Sequence, residues 1–228
     1  DMYKHPSTKA NISTLQEYGN TLIPSGFGEL ASGLVGEGRM AEPSEIIECI
    51  TAELNNDLPL TNKKVLITAG ATGIGKATAI AMMKAGAQVH VCDINAQALA
   101  ELKQLYPLLL TSVTNVAEPI EVAAMFAQLQ QEFSGKLDFL VNNAGVSGPA
   151  GPIETLDIEA WKATFDVNLH ATFYVSKHAI PLLKQQGGAI MKLSSTARLF
   201  GYPMRSPYAS AKWAIVELNK TMAMELGP

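Results

Sequence analysis

Tyr208 and Lys212 stand four residues apart in YASAK. On a helix that spacing sends both side chains off one face. A tyrosine ordinarily keeps its proton to about pH 10, so alone it is a poor acid or base near neutrality. An ammonium beside it stabilises the phenolate and brings proton exchange within reach. A second candidate lies far upstream, in VLITAGATGIG from Val65 to Gly75. Its apolar run breaks at Gly70, Gly73 and Gly75 and passes at Lys76 into an alanine-rich helical pattern. Glycines let a backbone turn tightly against a ligand, and the amides and positive dipole of a helix start hold a pyrophosphate. The same glycines would also serve a tight turn that binds nothing. Asp93 follows at about the 20-residue spacing from which a carboxylate accepts hydrogen bonds from an adenosine ribose and repels a 2′-phosphate. This favours NAD over NADP, while a helix-capping role for Asp93 is equally open.

The elements that must carry these residues alternate. Strand patterns at Val65–Ala69, Gln88–Asp93, Leu108–Val113, Leu137–Val141 and Ala189–Leu193 are separated by helical ones. Those helices are expected at Ile74–Lys84, Ala96–Leu105, Pro119–Phe133, Ile158–Phe165, Leu169–Lys184 and Tyr208–Leu226. Right-handed crossovers then require an α/β fold, a doubly wound parallel sheet of Rossmann-like plan, over residues 63–228. Residues 1–62 read as a mixed helix and loop appendage, with a boundary near residue 60 in the linker chemistry of NNDLPLTNKK. A helix is expected at Asn11–Tyr18, a short strand at Thr21–Ile23, and a glycine-dense loop from Ser25 to Met40. That loop, with Arg39, has the composition of an anion cradle or of a solvated connection. A helix starting at Pro43 carries the apolar stripe Ile46, Ile47, Ile50 and Leu54.

Composition removes several functions. The 228 residues carry a net charge of −4 with no run of Lys or Arg, so neither nucleic acid nor an anionic membrane is an expected partner. Cys49 and Cys92 form no disulfide framework and no Cys-x-x-Cys pair, which suits a reducing, cytoplasmic setting. His5, His90, His170 and His178 are scattered, and no metal site is expected. No leader pattern is visible, and no apolar run approaches the roughly 20 residues of a membrane span. The chain opens at Asp1 and stops at Pro228 directly after a strong helical pattern, so it reads as an excised piece of a longer protein.

The phrases ITAGATGIGKA, LDFLVNNAGVSG, FDVNLHATF, IMKLSS, YASAK and MAMELGP, in this order, resemble the short-chain dehydrogenase/reductase family over Lys64 to Pro228. The resemblance implies hydride transfer between NAD(P) and a small alcohol or ketone. It makes Tyr208 the proton donor or acceptor and Lys212 the group that activates it and binds the nicotinamide ribose. Ser195 would hydrogen-bond the reacting oxygen, and Asn168 would hold a water in a proton relay. Cofactor contacts are implied at Gly70, Thr72, Gly73, Ile74 and Gly75 in the turn and at Asp93. Further contacts are implied at Asn115, Val116, Asn142, Ala144 and Gly145, with Asn142 and its turn on the adenine side. A homo-oligomer is implied as well. Two departures stand out: Ala69 occupies the usual first glycine, tolerable where φ is negative, and Asn115 stands where an aspartate commonly touches adenine. The chain also stops before the family's sixth strand and the loop after it, so an incomplete substrate and nicotinamide side is expected.

MYKHPSTKANI and GELASGLVGEGRMAEP, with the following VLITAG, resemble a different family. It is the bifunctional phosphopantothenoylcysteine decarboxylase and phosphopantothenate-cysteine ligase of coenzyme A synthesis, over about the first 70 residues. That resemblance implies an FMN-dependent ancestry for this segment, with its glycine loop around Ser32, Gly33, Gly36, Gly38, Arg39 and Met40 closing over a substrate. The family's catalytic histidine would lie before Asp1, so decarboxylation by this chain is not expected.

Overall fold

The computed structural model of the chain describes residues 5–29, 35–56 and 58–227. The chain divides into two units between Leu58 and Pro59. In the first, Pro6 opens α1 (Pro6–Glu17), where its missing N–H costs no helical bond, so the helix begins a turn before Asn11. The short strand expected at Thr21–Ile23 does not form. The glycine-dense stretch, expected as a loop, instead pairs as an antiparallel ribbon of β1 (Gly26–Glu29) and β2 (Val35–Arg39). Gly28 helps to explain why: a Cβ there would lie 3.0 Å from Arg39 Cδ, so the glycine leaves room for the arginine stem. Arg39 itself bonds Glu42 at 2.9 Å rather than standing free for an anion. Ser32 and Gly33 lie outside the described residues. α2 (Pro43–Asn56) starts at its proline.

The second unit is built on β3 (Lys64–Thr68), in which Val65, Leu66 and Ile67 are fully buried. A run apolar on both faces is what a parallel strand covered by helices on both sides requires. After it come α3 (Gly73–Lys84), β4 (Gln88–Asp93), α4 (Ala96–Leu105), β5 (Leu110–Val113), α5 (Pro119–Glu132) and β6 (Phe139–Asn142). Then follow α6 (Ile158–Phe165), α7 (Ala171–Leu183), β7 (Ala189–Lys192), the short α8 (Ala197–Phe200) and α9 (Ser206–Leu226). The five strands lie in the order β5-β4-β3-β6-β7, every pair parallel. The helix expected to begin at Leu169 is entered through a π-helical turn, Asp166–His170, and a 3₁₀ turn at Ile153–Thr155 and α8 add to the expected elements.

Side chains alternate across the sheet. Val65 and Ile67 pack with Val89, Val91, Leu99 and Leu102 on the face of α3 and α4. Leu66 faces the other way, into a cluster with Phe126, Leu129, Leu140 and Val175 beneath α5 and α7. Cys92 belongs to that second core, and burial pushes its thiol up to about 12, which makes it packing rather than a nucleophile. His90, on the same face of β4 and fully buried, is held by Glu132 Oε2 at Nδ1 (2.6 Å) and Ser112 Oγ at Nε2 (2.9 Å). No described helix is long and apolar enough to cross a membrane. Because β4 and β5 lie to one side of β3 and β6 and β7 to the other, the order reverses between β3 and β6. A crevice opens at such a switch point, beyond the carboxyl ends of the two strands.

Candidate active site

The glycine turn joins β3 to α3 on the lip of that crevice. Gly70 is buried against Val91, whose Cβ would lie 2.6 Å from a methyl at residue 70, so no larger residue fits. At Gly75 a Cβ would overlap the Ala69 carbonyl oxygen and come 2.6 Å from Asn143 Nδ2. Gly73 takes φ +53° and is open to solvent, as are Thr72 and Ile74 beside it. Thr72 occupies the cap position of α3 without capping it through its side chain, and the first turn holds no acidic residue. By contrast, α4 and α6 are capped by Asn95 and Asp157. The uncapped start of α3 leaves amide donors facing the crevice. Ala69 does not have the negative φ expected of it. It lies at +50°, because the chain must reverse there while Gly70 N–H bonds the Cys92 carbonyl at 3.1 Å.

Asp93 ends β4 beside this turn. One carboxylate oxygen accepts from Ala71 N–H at 3.1 Å and the other from Asn95 N–H at 3.0 Å. The side chain thus steadies both the glycine turn and the entry to α4. Asn115 spends its carbonyl oxygen on Ala117 N–H at 3.1 Å, leaving its amino group for any base. Val116 is buried in the core beneath α5.

At the end of β6 the structure corrects an expectation. Asn142 does not line the cleft through its side chain; it is buried and donates to Ser176 Oγ of α7 at 3.2 Å. The next residue, Asn143, to which the sequence attached no separate role, bridges the crevice floor. Its Nδ2 donates to the carbonyls of Thr68 (2.9 Å) and Ala69 (3.0 Å). Thr68 Oγ1 in turn accepts from the backbone amides of Asn143 and Ala144, both at 3.0 Å. The ends of β3 and β6 are locked together by these four bonds.

Asn168 sits in the π-helical turn, a feature that recurs at functional sites. Fully buried, it donates to Val146 O (2.8 Å) and Thr164 O (2.9 Å) and accepts from Val146 N–H at 3.3 Å. Gly145 lies between it and α9. A Cβ on that exposed glycine would be 2.9 Å from Asn168 Oδ1 and 3.3 Å from Lys212 Nζ.

Helix α9 presents Tyr208 and Lys212 from one face, as their spacing requires. Lys212 Nζ lies 5.9 Å from the centre of the Tyr208 ring and donates to Leu193 O at 2.8 Å. Only 5% of the lysine is exposed, and burial pushes its pKa down from the ordinary 10.5. Ser194 Oγ donates to Lys212 O at 2.8 Å, tying the loop after β7 to the helix. Ser195 Oγ accepts from Ala197 N–H at 3.2 Å. A cavity of about 590 Å³ is lined by Ser147, Ser195, Phe200, Tyr202, Arg205 and Tyr208, among others. The structure thus brings Ser195 and Tyr208 to one cavity, Lys212 behind the tyrosine, Asn168 near the lysine, and the glycine turn and Asp93 to the neighbouring crevice. Of the cavity's walls, Ser147, Phe200, Tyr202 and Arg205 carried no functional signal in the sequence.

A doubly wound parallel sheet with a glycine cradle at its switch point and a tyrosine and lysine pair on a following helix defines a nucleotide-dependent oxidoreductase. The family model described as short chain dehydrogenase matches residues 63–228, and the chain belongs to that family. It is similar to cyclohexanol dehydrogenase from Acinetobacter sp. (strain SE19), 37% identical over 72% of this chain and 67% of that protein. It is also similar to trans-4-hydroxycyclohexanecarboxylate dehydrogenase from Sinomonas cyclohexanicum, 34% identical over 74% of this chain and 68% of that one. The crystal structure of NAD+-bound xylitol dehydrogenase superposes with a TM-score of 0.71 at 27% identity, covering 75% of this chain and 67% of that chain. The chain thus spans about two thirds of the length of these relatives. Its family chemistry is NAD(P)-dependent hydride transfer at a CH–OH group.

Proposed function

We propose that this chain interconverts a cyclic secondary alcohol and its ketone, with NAD as the hydride carrier. The observation that carries the reading is the buried Lys212 ammonium 5.9 Å from the ring of Tyr208, on the wall of a cavity that also holds Ser195. The cyclic class is taken from the two relatives named for cyclohexane-ring alcohols.

The residues present fit a dinucleotide. Gly70 and Gly75 let the turn pack against Val91 and the Ala69 carbonyl more closely than a side chain would allow, and the start of α3 that follows carries no side-chain cap on its amides. The Gly70–Gly75 turn would hold the pyrophosphate, with Thr72, Gly73 and Ile74 on its exposed side. Asp93 would accept from the adenosine ribose, which selects NAD over NADP by repulsion of a 2′-phosphate. Asn115 and Val116 would border the base, and Ala144 and Gly145 the ribose side. When bound, the nicotinamide supplies or accepts the hydride; the protein supplies the proton chemistry and the orientation.

In that chemistry Ser195 Oγ hydrogen-bonds the reacting oxygen, and Tyr208 Oη gives or takes its proton. Lys212 stabilises negative charge on Tyr208 as the proton leaves; held by Leu193 O, it cannot swing away. Asn168 Oδ1 and Lys212 Nζ border the same space beside Gly145, and we assign the relay water to it. The Tyr208→Phe variant tests the reading: turnover should fall by a factor of at least about 100 with NAD affinity nearly unchanged. Turnover near that of the unmodified chain would overturn the assignment.

We also infer a reducing, cytoplasmic setting and a homo-oligomer, from cysteine usage and family respectively. For residues 1–62 we retain the reading as a remnant of the flavin-dependent coenzyme A biosynthetic family, supported by the phrases MYKHPSTKANI and GELASGLVGEGRMAEP. A flavin absorbance band in the purified protein would support that reading.

A further inference from the structure

Among the described residues, Arg205 is the one cation lining the cavity beside Tyr208 and Ser195. Several features hold it in place. The turn from Tyr202 to Arg205 is closed by Arg205 N–H on Tyr202 O at 3.1 Å, and Met204 O accepts from Gly151 N–H at 3.0 Å. Met204 takes φ +64°, a left-handed conformation that a residue with a Cβ adopts only when its surroundings impose it. The guanidinium then reaches across to the loop after β6, where Nη1 donates to Gly148 O at 2.9 Å and to Ser147 O at 3.4 Å.

These two acceptors are neutral. Among the described residues no carboxylate pairs with Arg205, and Nε and Nη2 are left without a partner. Among the described residues no acidic one lines the cavity, whose other walls are aromatic rings, hydroxyls, Ala197 and Gly201. A fixed cation with unspent donors at Nε and Nη2, beside the exposed rings of Phe200 and Tyr202, matches a planar anion that accepts two parallel hydrogen bonds. A carboxylate has that geometry. The cofactor is not the source of this anion, because the cradle for a pyrophosphate is at the Gly70–Gly75 turn, at the ends of other elements.

We infer that the substrate is a hydroxy acid or oxo acid: a secondary alcohol or ketone on an apolar body, with a carboxylate that docks on Arg205. The apolar body would lie against Phe200 and Tyr202, and the carbinol end would reach Ser195 and Tyr208. This rests on the dehydrogenase reading of the same cavity, and it makes Arg205 a specificity residue rather than a catalytic one.

The test separates the two. Cyclohexanecarboxylate, which has no hydroxyl to oxidise, and its uncharged counterpart cyclohexanecarboxamide are titrated calorimetrically into the NAD-loaded protein and into Arg205→Gln. Turnover of cyclohexanol and 4-hydroxycyclohexanecarboxylate is measured alongside. The expected result is at least tenfold tighter binding of the carboxylate than of the amide, lost in Arg205→Gln, with amide and NAD affinities unchanged. Equal affinities in the unmodified protein would overturn the inference. So would a variant that keeps the preference, or one that loses the amide or NAD to the same degree, since the arginine would then serve the loop or the cofactor. A carboxylate preference that depends on Arg205 without turnover of either alcohol would uphold the anion site and reject the dehydrogenase reading.

Discussion

Gly75 is where the cofactor cradle and the crevice floor meet, and replacing it by alanine should damage both. The new methyl would overlap the Ala69 carbonyl oxygen and lie 2.6 Å from Asn143 Nδ2. Neither neighbour can retreat cheaply. The carbonyl belongs to a backbone already held at φ +50°, and Asn143 is fixed through its own amide to Thr68 Oγ1. Relief of the two clashes needs both a shift of the first turn of α3 and the loss of the bonds of Asn143 to Thr68 O and Ala69 O. Overpacking of this kind costs about 1–3 kcal/mol, and each lost hydrogen bond about 1 kcal/mol. The better helix propensity of alanine returns about 1 kcal/mol. A net loss of about 3 kcal/mol follows, or about 6–12 °C in Tm for a unit of this size.

Gly73→Ala provides the control. Nothing lies within 4 Å of its Cβ position, so only the left-handed φ of +53° resists the change, at about 1 kcal/mol. Urea unfolding of both variants, with NAD titration by fluorescence, measures the contrast. Adding Asn143→Ala to Gly75→Ala should cost much less than Asn143→Ala alone, because the two changes break the same contact. The reasoning is refuted if Gly75→Ala lies within about 0.5 kcal/mol of the parent chain, or if Gly73→Ala is the more damaging.

Other perturbations report on other parts of the structure. His90 is held below its ordinary 6.5, first by burial, against the opposing pull of Glu132. Its contribution to stability is therefore complete above pH 6.5 and is lost as pH falls from there through its folded-state value; urea midpoints should drop more between about pH 7.5 and about 5 for the unmodified chain than for His90→Gln. Asp93→Ala should narrow the preference for NAD over NADP by about 1–3 kcal/mol, measured by titrating both nucleotides. A parent chain that prefers NADP would place Asp93 elsewhere. Ala69→Gly should raise stability by about 0.5 kcal/mol, as relief of the left-handed penalty outweighs the added freedom of the unfolded glycine. Ala69→Val should lower it, and the opposite order in urea midpoints would mean that residue 69 is not left-handed.

The sheet was legible because each strand is an apolar run bounded by turn chemistry and separated from the next by a helical period. Where a boundary slipped, local pattern gave way to position: Leu108 has strand character but is 91% exposed and precedes β5, while Leu109 fills the core. The ribbon of β1 and β2 was not legible, since its glycines gain their order from the partner strand. The orientation of Asn142 could have been read. It shares parity with Leu140, which faces α7, so alternation alone sends its amide beneath the sheet and leaves Asn143 at the crevice. The sign of φ at Ala69 could not, because it depends on where β4 fixes Gly70.

A deeper reason limits what residue types can disclose about this site. Several of its polar side chains are donors whose acceptors are backbone carbonyls. Lys212 is held by Leu193 O, Asn168 by Val146 O and Thr164 O, Asn143 by Thr68 O and Ala69 O, and Arg205 by Gly148 O. Every residue carries a carbonyl, so the identities of these partners leave no trace in the sequence, whereas the donors stand out. The carbonyls of Thr68 and Leu193 lie at or just past the ends of β3 and β7, where the ladder stops consuming them. The sheet's geometry therefore sets the position of each donor, and side chains at the acceptor positions are free to vary as long as the strands end where they do. A substitution that shifts a strand end should disturb cofactor and substrate sides together, while one that only trims a side chain at Leu193 or Val146 should disturb neither.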